Sequence, residues 1–439
     1  KILISLVYCN KIRLDTKKLY SLFKSSTGVS IDTRNLTTGQ IFFSLKGENF
    51  DGNDFTFDAL DKGASHCIIN DEKIADENDK IIYVKDPLKA LQELSNYHRS
   101  QFDTKVIGVT GSNGKTTTKN LIFSILSQKY NVIKTKGNLN NHIGVPISLF
   151  EINEKTEIAI IEMGANHIGE IKNLCEIAMP DFGLITNYGN AHLEGFGGFE
   201  GVIKGKSEIF DYLTQNYGHI ILNNDDNLQV SNCKGDLAIT FGKNENSEFI
   251  YSYSKENNHL IVECGNHKFK SNIYGDYNYS NLAASITIGK FLDLTNNEIQ
   301  KGLDFFENDS NRSEVIHFGS NKIYLDAYNA NPSSMRAAIT SFDIETNTNK
   351  ILILGDMFEL GEYSEKEHQS IVNLIDNKEY KKVYLVGDNF FKCKTKEIYF
   401  EKFKSLNEMT KSVKLNDFDS MNILIKGSRR IKLEELLNY

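Results

Sequence analysis

The sequence predicts an α/β protein of three domains. Three observations carry that expectation. Apolar runs of strand length alternate with helix-patterned stretches, which indicates a mostly parallel sheet. The 439 residues are enough for about two to four domains of ordinary size. The runs also fall into three groups, at 1–101, 102–314 and 315–439.

In the first group "QIFFSL", "HCIIN" and "KIIYV" read as strands, with turns such as Asp51-Gly52 between them. "FDALDKGA" fits a short helix. "PLKALQELSNYHRSQF" fits a longer one, because Pro87 suits a first turn and Leu88, Leu91, Leu94 and Tyr97 recur at helical spacing. This is a small α/β domain. The second group opens on "KVIGVTGSNGKTTTKNLIFSIL", an apolar strand, a glycine turn and a helix. "EIAIIEMG", "FGLITN" and "HIILNN" are further buried strands. "EFIYSYSKENNHLIVECGNHKFKSNI" alternates like antiparallel strands around an Asn-Asn turn. In the third group "KIYLDAYN", "KILILGDM", "KKVYLVGD" and "NILIKGS" are strands ending in Gly, Asp or Ser, with helical stretches after them. Ligands gather at the carboxyl ends of such strands, so this domain is expected to face a ligand.

Hydrophobic content of 40% and charged content of 25% are ordinary for a soluble globular protein. The formal net charge of −8 argues against a nucleic-acid partner, which needs a basic footprint. The six cysteines, at 9, 67, 175, 233, 264 and 393, form no C-x-x-C pair and are too widely spaced for a compact zinc site. Reduced thiols in a cytoplasmic protein are expected. The apolar start "ILISLVYC" is far shorter than the roughly 20 residues of a membrane span. It has no signal-peptide cleavage pattern after it, and no membrane insertion is expected.

A glycine-rich turn between strand and helix lets backbone N–H groups point at a phosphate. Gly111, Ser112, Asn113, Gly114 and Thr117 would form that cradle. Lys115 would reach the β- and γ-phosphates, and the Thr116 hydroxyl would reach Mg²⁺. Val109 stands where the strict motif has its first glycine. Glu162 ends the run "IAIIE", the place for an acid facing such a loop, and a Gly-rich turn follows it. His192 follows the strand "FGLITN". Alone, these features allow a nucleotide hydrolase, a kinase or an ATP-dependent ligase.

Several phrases occur together and in order: "SIDTR", "IFFSLKGENFDGNDF", "GVTGSNGKTTTK", "GNLNNHIGVP", "IEMGANHIGEI", "NAHLEGFGG", "GKSEIF", "DAYNANPSSM", "GDMFELG" and "KGSRR". With them the chain closely resembles the Mur ligase family over nearly its whole length beyond about residue 20. Within the family it resembles the members that add D-alanyl-D-alanine to UDP-N-acetylmuramoyl-tripeptide. The resemblance implies an N-terminal UDP-sugar domain, a central P-loop-type ATPase domain and a C-terminal Rossmann-like domain. It also implies a reaction. ATP phosphorylates the tripeptide carboxylate, the dipeptide amine attacks the acyl phosphate, and a tetrahedral intermediate collapses to amide and phosphate.

Roles follow from the same resemblance. Thr116, Glu162 and His192 would hold Mg²⁺, and Lys115 would join the metal in drawing two anions together. Lys206 in "GKSEIF" matches a lysine that is often carbamylated, and a carbamate there would support a second Mg²⁺. Arg312 matches an arginine that reaches the phosphates, although Asn311 stands where the family usually has Gly. Asp326 matches the acid near the ATP ribose. Asn281 matches an asparagine near the nucleotide, in a phrase that begins Tyr277-Asn278 where the family usually has His-Asn. Ser30, Asp32, Thr33, Arg34, Lys46 and Gly47 carry the UDP-sugar resemblance. Arg34 could pair with a diphosphate, or Asp32 could simply cap a turn. Asn138, Asn140 and Asn141 fit the stretch that contacts the muramoyl-peptide. Asp356, Glu359, Ser428 and Arg429 fall to D-alanyl-D-alanine, and a monomer is expected. Folylpolyglutamate synthase shares the glycine loop but should lack the roughly 100 residues that precede it here. A transport ATPase has no need of the third domain's polar strand ends, and a binding protein has no need of Lys115, Thr116, Glu162 and His192.

Overall fold

The computed structural model describes residues 15–256, 259–307, 312, 314–346, 348–376 and 378–438. The apolar start, the Asn257-Asn258 turn and Asn311 lie outside them. The chain forms two compact units. One is Lys1–Val106, Ile133–Ile161 and Asn173–Met179; the other is Ile107–Val132, Glu162–Lys172 and Pro180–Tyr439.

The chain opens with α1 (Thr16–Lys24), β1 (Val29–Ser30), β2 (Ile41–Phe43), α2 (Thr56–Asp61), β3 (His66–Ile69), β4 (Ile81–Tyr83) and α3 (Pro87–Arg99). The four strands pair in sequence order, all parallel. Their continuous apolar runs are explained by burial on both faces. Ile41, Phe43 and Ile68 pack with Leu91 and Leu94 of α3, whereas Phe42, Cys67 and Ile69 pack with Ala59 of α2. Pro87 occupies the first turn of α3 as expected, and the Asp86 carboxylate caps it by accepting the Lys89 N–H at 3.0 Å.

Next come β5 (Lys105–Thr110), α4 (Lys115–Leu126), β6 (Val132–Lys134), α5 (Gly144–Leu149), β7 (Ile158–Glu162), α6 (Glu170–Ala178) and β8 (Phe182–Ile185). Then follow α7 (Leu193–Phe196), α8 (Phe199–Gln215), β9 (His219–Asn223), α9 (Asn227–Asn232), β10 (Ala238–Gly242) and β11 (Phe249–Ile250). In the second unit β5, β8, β9, β10 and β11 are parallel neighbours in that order. β12 (Ser252–Glu256), β13 (His259–Cys264) and β14 (His267–Tyr274) form the antiparallel sheet expected from the alternation. After it come α10 (Tyr279–Phe291) and α11 (Asn296–Asp304), the latter opened by a Thr295–Glu298 capping box.

The last stretch holds β15 (Glu314–Phe318), β16 (Asn321–Asp326), α12 (Pro332–Glu345), β17 (Lys350–Gly355), α13 (Ser364–Ile375), β18 (Lys382–Val386), α14 (Asp388–Lys392), β19 (Phe400–Phe403), α15 (Leu406–Met409) and β20 (Asn422–Lys426). Strand order is β15-β16-β20-β17-β18-β19, parallel except for β15. The four expected strands are its interior, and two edge strands that the sequence did not reveal complete it. Asp326, Gly355 and Lys426 stand together at the carboxyl ends of three adjacent strands.

Candidate active site

The glycine loop joins β5 to α4, and both of its glycines are required. Gly111 has φ +140° and Gly114 has φ +79°, a region that side chains resist. A Cβ at Gly114 would lie 2.6 Å from the Asn281 amide nitrogen, and one at Gly111 would collide with Thr186. Val109 lies fully buried inside β5, so the first glycine of the strict motif would fall within a strand here. The loop is held from below. Ser112 N–H donates to Asn187 O at 3.0 Å, and the Ser112 hydroxyl donates to Gly189 O at 3.0 Å. Asn113 O accepts from Thr186 Oγ1 at 2.5 Å and from Asn187 Nδ2 at 3.0 Å. The first-turn N–H groups of α4 then supply an anion cradle at the positive end of the helix dipole.

The half-buried Lys115 folds back on this loop, donating to Gly111 O at 2.7 Å and Ser112 O at 3.3 Å. Burial pushes its pKa down; Glu162 pulls it up and Arg312 pushes it further down. Three of the expected catalytic groups thus share one electrostatic neighbourhood. Glu162 is 2% exposed at the end of β7, and Lys119 Nζ stands 3.4 Å from its carboxylate. Sequence reasoning missed Lys119. Its spacing of four from Lys115, which puts both on one face of α4, was the available signal.

Lys206, on α8, is 1% exposed and donates to Ala165 O at 3.1 Å. Burial, and then the charge of Lys115, hold its pKa well below the usual lysine value, against pulls from Glu170 and Glu208. His192 and Glu359 both take left-handed backbone, at φ +54° and +63°. Their side chains meet, imidazole Nδ1 to carboxylate, and this contact holds the Glu359 pKa down. Asn281 donates to Asn278 Oδ1 at 3.0 Å, while its own Oδ1 is buried without a hydrogen-bond partner. Asp326 pairs with the buried Lys426.

Two residues expected at the dipeptide site also hold their own loops. Asp356, 2% exposed, accepts the N–H groups of Asn389 and Phe390, both at 2.9 Å, and so caps α14. Ser428, 3% exposed, donates to Ala330 O at 3.3 Å. In the first unit Asp32 forms a bidentate pair with the exposed Arg34, with contacts of 2.9 and 2.7 Å, and also accepts the Arg34 backbone N–H at 2.9 Å. That interaction holds the Asp32 pKa down at about 2. The Ser30 hydroxyl donates to Asp32 O at 3.0 Å, and Thr33 O accepts Lys62 at 3.1 Å. Lys46 lies 3.6 Å from Asp51, and Gly47 N–H donates to Phe50 O at 3.0 Å. Asn141 Oδ1 accepts the N–H groups of Ile143 and Gly144 at 3.1 and 2.9 Å, which shapes the turn carrying Asn138 and Asn140.

Among the described residues no three His, Cys, Asp or Glu side chains gather as a metal cluster. Mg²⁺ typically takes one or two side-chain oxygens and fills its remaining positions with phosphate and water, so the Thr116 hydroxyl and the Glu162 carboxylate are donors of the right kind. No helix among the described residues is long and apolar enough to cross a membrane.

His368, on α13, anchors the loop that carries Glu359. Its Nε2 accepts the Met357 N–H at 3.0 Å, and its Nδ1 donates to Ser364 O at 2.7 Å, which requires the neutral ring. Burial lowers its pKa, against pulls from Ser364 O, from Asp356 at 3.7 Å and from Glu367. A lowered folded pKa means stability that is complete above the unfolded value of about 6.5 and is lost as pH falls toward the folded value. Melting temperature is therefore expected to drop between about pH 7 and pH 5, and His368→Gln to flatten that slope. An unchanged slope in the variant would contradict the assignment.

Comparison with known proteins places this geometry. Residues 25–99 match the Mur ligase family catalytic domain, 109–289 the Mur ligase middle domain, and 311–429 the Mur ligase glutamate ligase domain. The chain is 36% identical over 423 residues to the UDP-N-acetylmuramoyl-tripeptide–D-alanyl-D-alanine ligase of Bacillus subtilis (strain 168), covering 93% of this chain and 92% of that one. The chain belongs to the Mur ligase family. The enzyme of the same name from Escherichia coli (strain K12) is 34% identical over 421 residues, covering 93% and 92%. Among solved Mur ligases, a MurF crystal structure from Acinetobacter baumannii superimposes with a TM-score of 0.85 at 28% identity, covering 97% of this chain and 98% of that one. The MurF ligase of Thermotoga maritima in complex with ADP gives 0.82 at 28% identity, covering 95% and 97%. The three-domain Mur architecture expected from the sequence is present.

Proposed function

We propose that the chain is an ATP-dependent amide ligase of cytoplasmic peptidoglycan-precursor synthesis, acting as a monomer to join D-alanyl-D-alanine to UDP-N-acetylmuramoyl-tripeptide. The observation that carries the reading is the electrostatic coupling of Lys115, at the glycine loop, to Glu162 and Arg312. A carboxylate is a poor acyl donor because oxide is a poor leaving group. Phosphorylation cures this, but it requires a carboxylate and a γ-phosphate to approach each other. Lys115 and Arg312 supply cations where the two negative charges converge. Gly111, Ser112, Asn113, Gly114, Thr116 and Thr117 surround the phosphates, and Asn281 and Asp326 stand toward the nucleoside.

Thr116, Glu162 and His192 would hold Mg²⁺, which supplies further charge neutralisation when bound. A carbamate on Lys206 would add a ligand. Ser30, Asp32, Thr33, Arg34, Lys46, Gly47, Asn138, Asn140 and Asn141 bind the UDP-sugar substrate. Asp356, Glu359, Ser428 and Arg429 meet the dipeptide, and Asp356 and Ser428 also hold their own loops. The test is phosphate release from ATP with each substrate omitted in turn, and with folate plus glutamate. Release that needs both the UDP-muramoyl-tripeptide and D-alanyl-D-alanine is expected. Release indifferent to either would defeat the proposal.

A further inference from the structure

The turn after β16 carries a side chain that the sequence reading passed over. Tyr328 lies on the loop leading from β16 to α12, and its ring meets two guanidinium groups. Arg312 stands 3.5 Å from the ring centroid and Arg429 stands 5.1 Å from it. One arginine precedes β15 and the other follows β20, so the ring gathers charges from opposite ends of the domain's sequence, on strands that flank β16.

The ring's loop is anchored on both sides. β16 and β20 are parallel neighbours with Asp326 opposite Lys426. Lys426, 1% exposed, pairs with the Asp326 carboxylate and also donates to Asn329 O at 3.4 Å. Beyond the ring, the Asn331 amide donates to Asn113 Oδ1 in the glycine loop at 2.7 Å. Ser333 Oγ accepts the Asn190 N–H at 2.7 Å. Tyr328 therefore rides on a bridge between the carboxyl end of β20 and the phosphate cradle.

The geometry points to Tyr328 as a positioning residue, an aromatic platform that presents Arg312 to the nucleotide phosphates and Arg429 to the dipeptide carboxylate. Two guanidinium groups held near each other repel, and each has many rotamers. The electron-rich ring face attracts both and orders them before any anion arrives. Binding then costs less side-chain ordering. The ring performs this role, and the hydroxyl is not needed for it.

The inference rests on the roles proposed above for the two arginines, so its test must separate the two. Full-length wild type is compared with Tyr328→Phe, Tyr328→Leu, Tyr328→Gln, Arg312→Ala and Arg429→Ala. The readouts are KM for each substrate, ATP affinity by calorimetry and melting temperature. Tyr328→Phe is expected to stay within about twofold of wild type. Tyr328→Leu and Tyr328→Gln are expected to weaken ATP and D-alanyl-D-alanine by about fivefold each, the size of one lost cation–π contact. KM for the UDP-substrate should stay unchanged. A merely structural tyrosine would lower the melting temperature without that selective pattern, and this outcome would overturn the proposal. Phe as damaging as Leu would overturn it too. If both arginine variants keep wild-type values, the roles of the arginines fail and the platform fails with them. If the arginine variants weaken binding while Leu and Gln do not, the platform alone fails.

Discussion

Lys115→Ala is expected to cut the rate of ligation by about a thousandfold, the upper range for loss of one preorganised electrostatic donor, while the UDP-substrate still binds. The lysine stands where the reaction concentrates negative charge, and its ammonium already lies against the loop carbonyls of Gly111 and Ser112. Loss of that charge leaves two anions to approach with Arg312 and the metal alone. The residues proposed for the UDP-substrate, Ser30 to Gly47 and Asn138 to Asn141, belong to the other compact unit, so substrate affinity should be untouched. Burial already disfavours the Lys115 cation, so the variant should lose little stability. Single-turnover kinetics and calorimetric titration of the UDP-substrate check both halves. A folded variant that no longer binds that substrate would show the two sites to be wrongly divided.

The second large effect is expected at Lys206. Carbamylation needs an unprotonated amine, because only the lone pair attacks CO₂. The amine is 1% exposed and burial pushes its pKa well below the usual lysine value, which makes that lone pair more available than on an ordinary lysine. The Phe196 ring, 5.1 Å from Nζ, favours the cation, but burial outweighs it. Removal of CO₂ from the assay is therefore expected to slow the wild type, and bicarbonate to restore it. Lys206→Met keeps the apolar stem and loses the amine. It should fold at least as well, lose about a hundredfold or more in rate by analogy with other lost electrostatic groups, and ignore bicarbonate. A wild type indifferent to CO₂ removal, with no carbamate carbon signal in labelled enzyme, would refute the modification.

Most of the fold was legible because its interior strands are buried on both faces and so appear as unbroken apolar runs. β16, β17, β18 and β20 announced themselves in this way. β15 and β19 did not. They are edge strands, "EVIHF" and "FEKF", whose charged residues break the run. At the site, the glycine loop and Lys115 were legible because their geometry is local. Lys119, Tyr328 and His368 were not, since each is given its role by a partner distant in sequence or on another element. Asp356 shows the same limit. That this strand-end acid also accepts the N–H groups of Asn389 and Phe390 could be seen only in the structure.

The sequence alone settled what lies within one turn of chain. It determined the strand–loop–helix cradle, the glycines that its backbone requires, the layered α/β plan and, through its ordered phrases, the family. Tertiary structure decided which charges stand together. It put Glu162 beside Lys119, His192 against Glu359, and two arginines on the face of Tyr328. The physical reason is that backbone preferences act between near neighbours, whereas the energy of a charge depends on burial and on partners that only packing brings within reach.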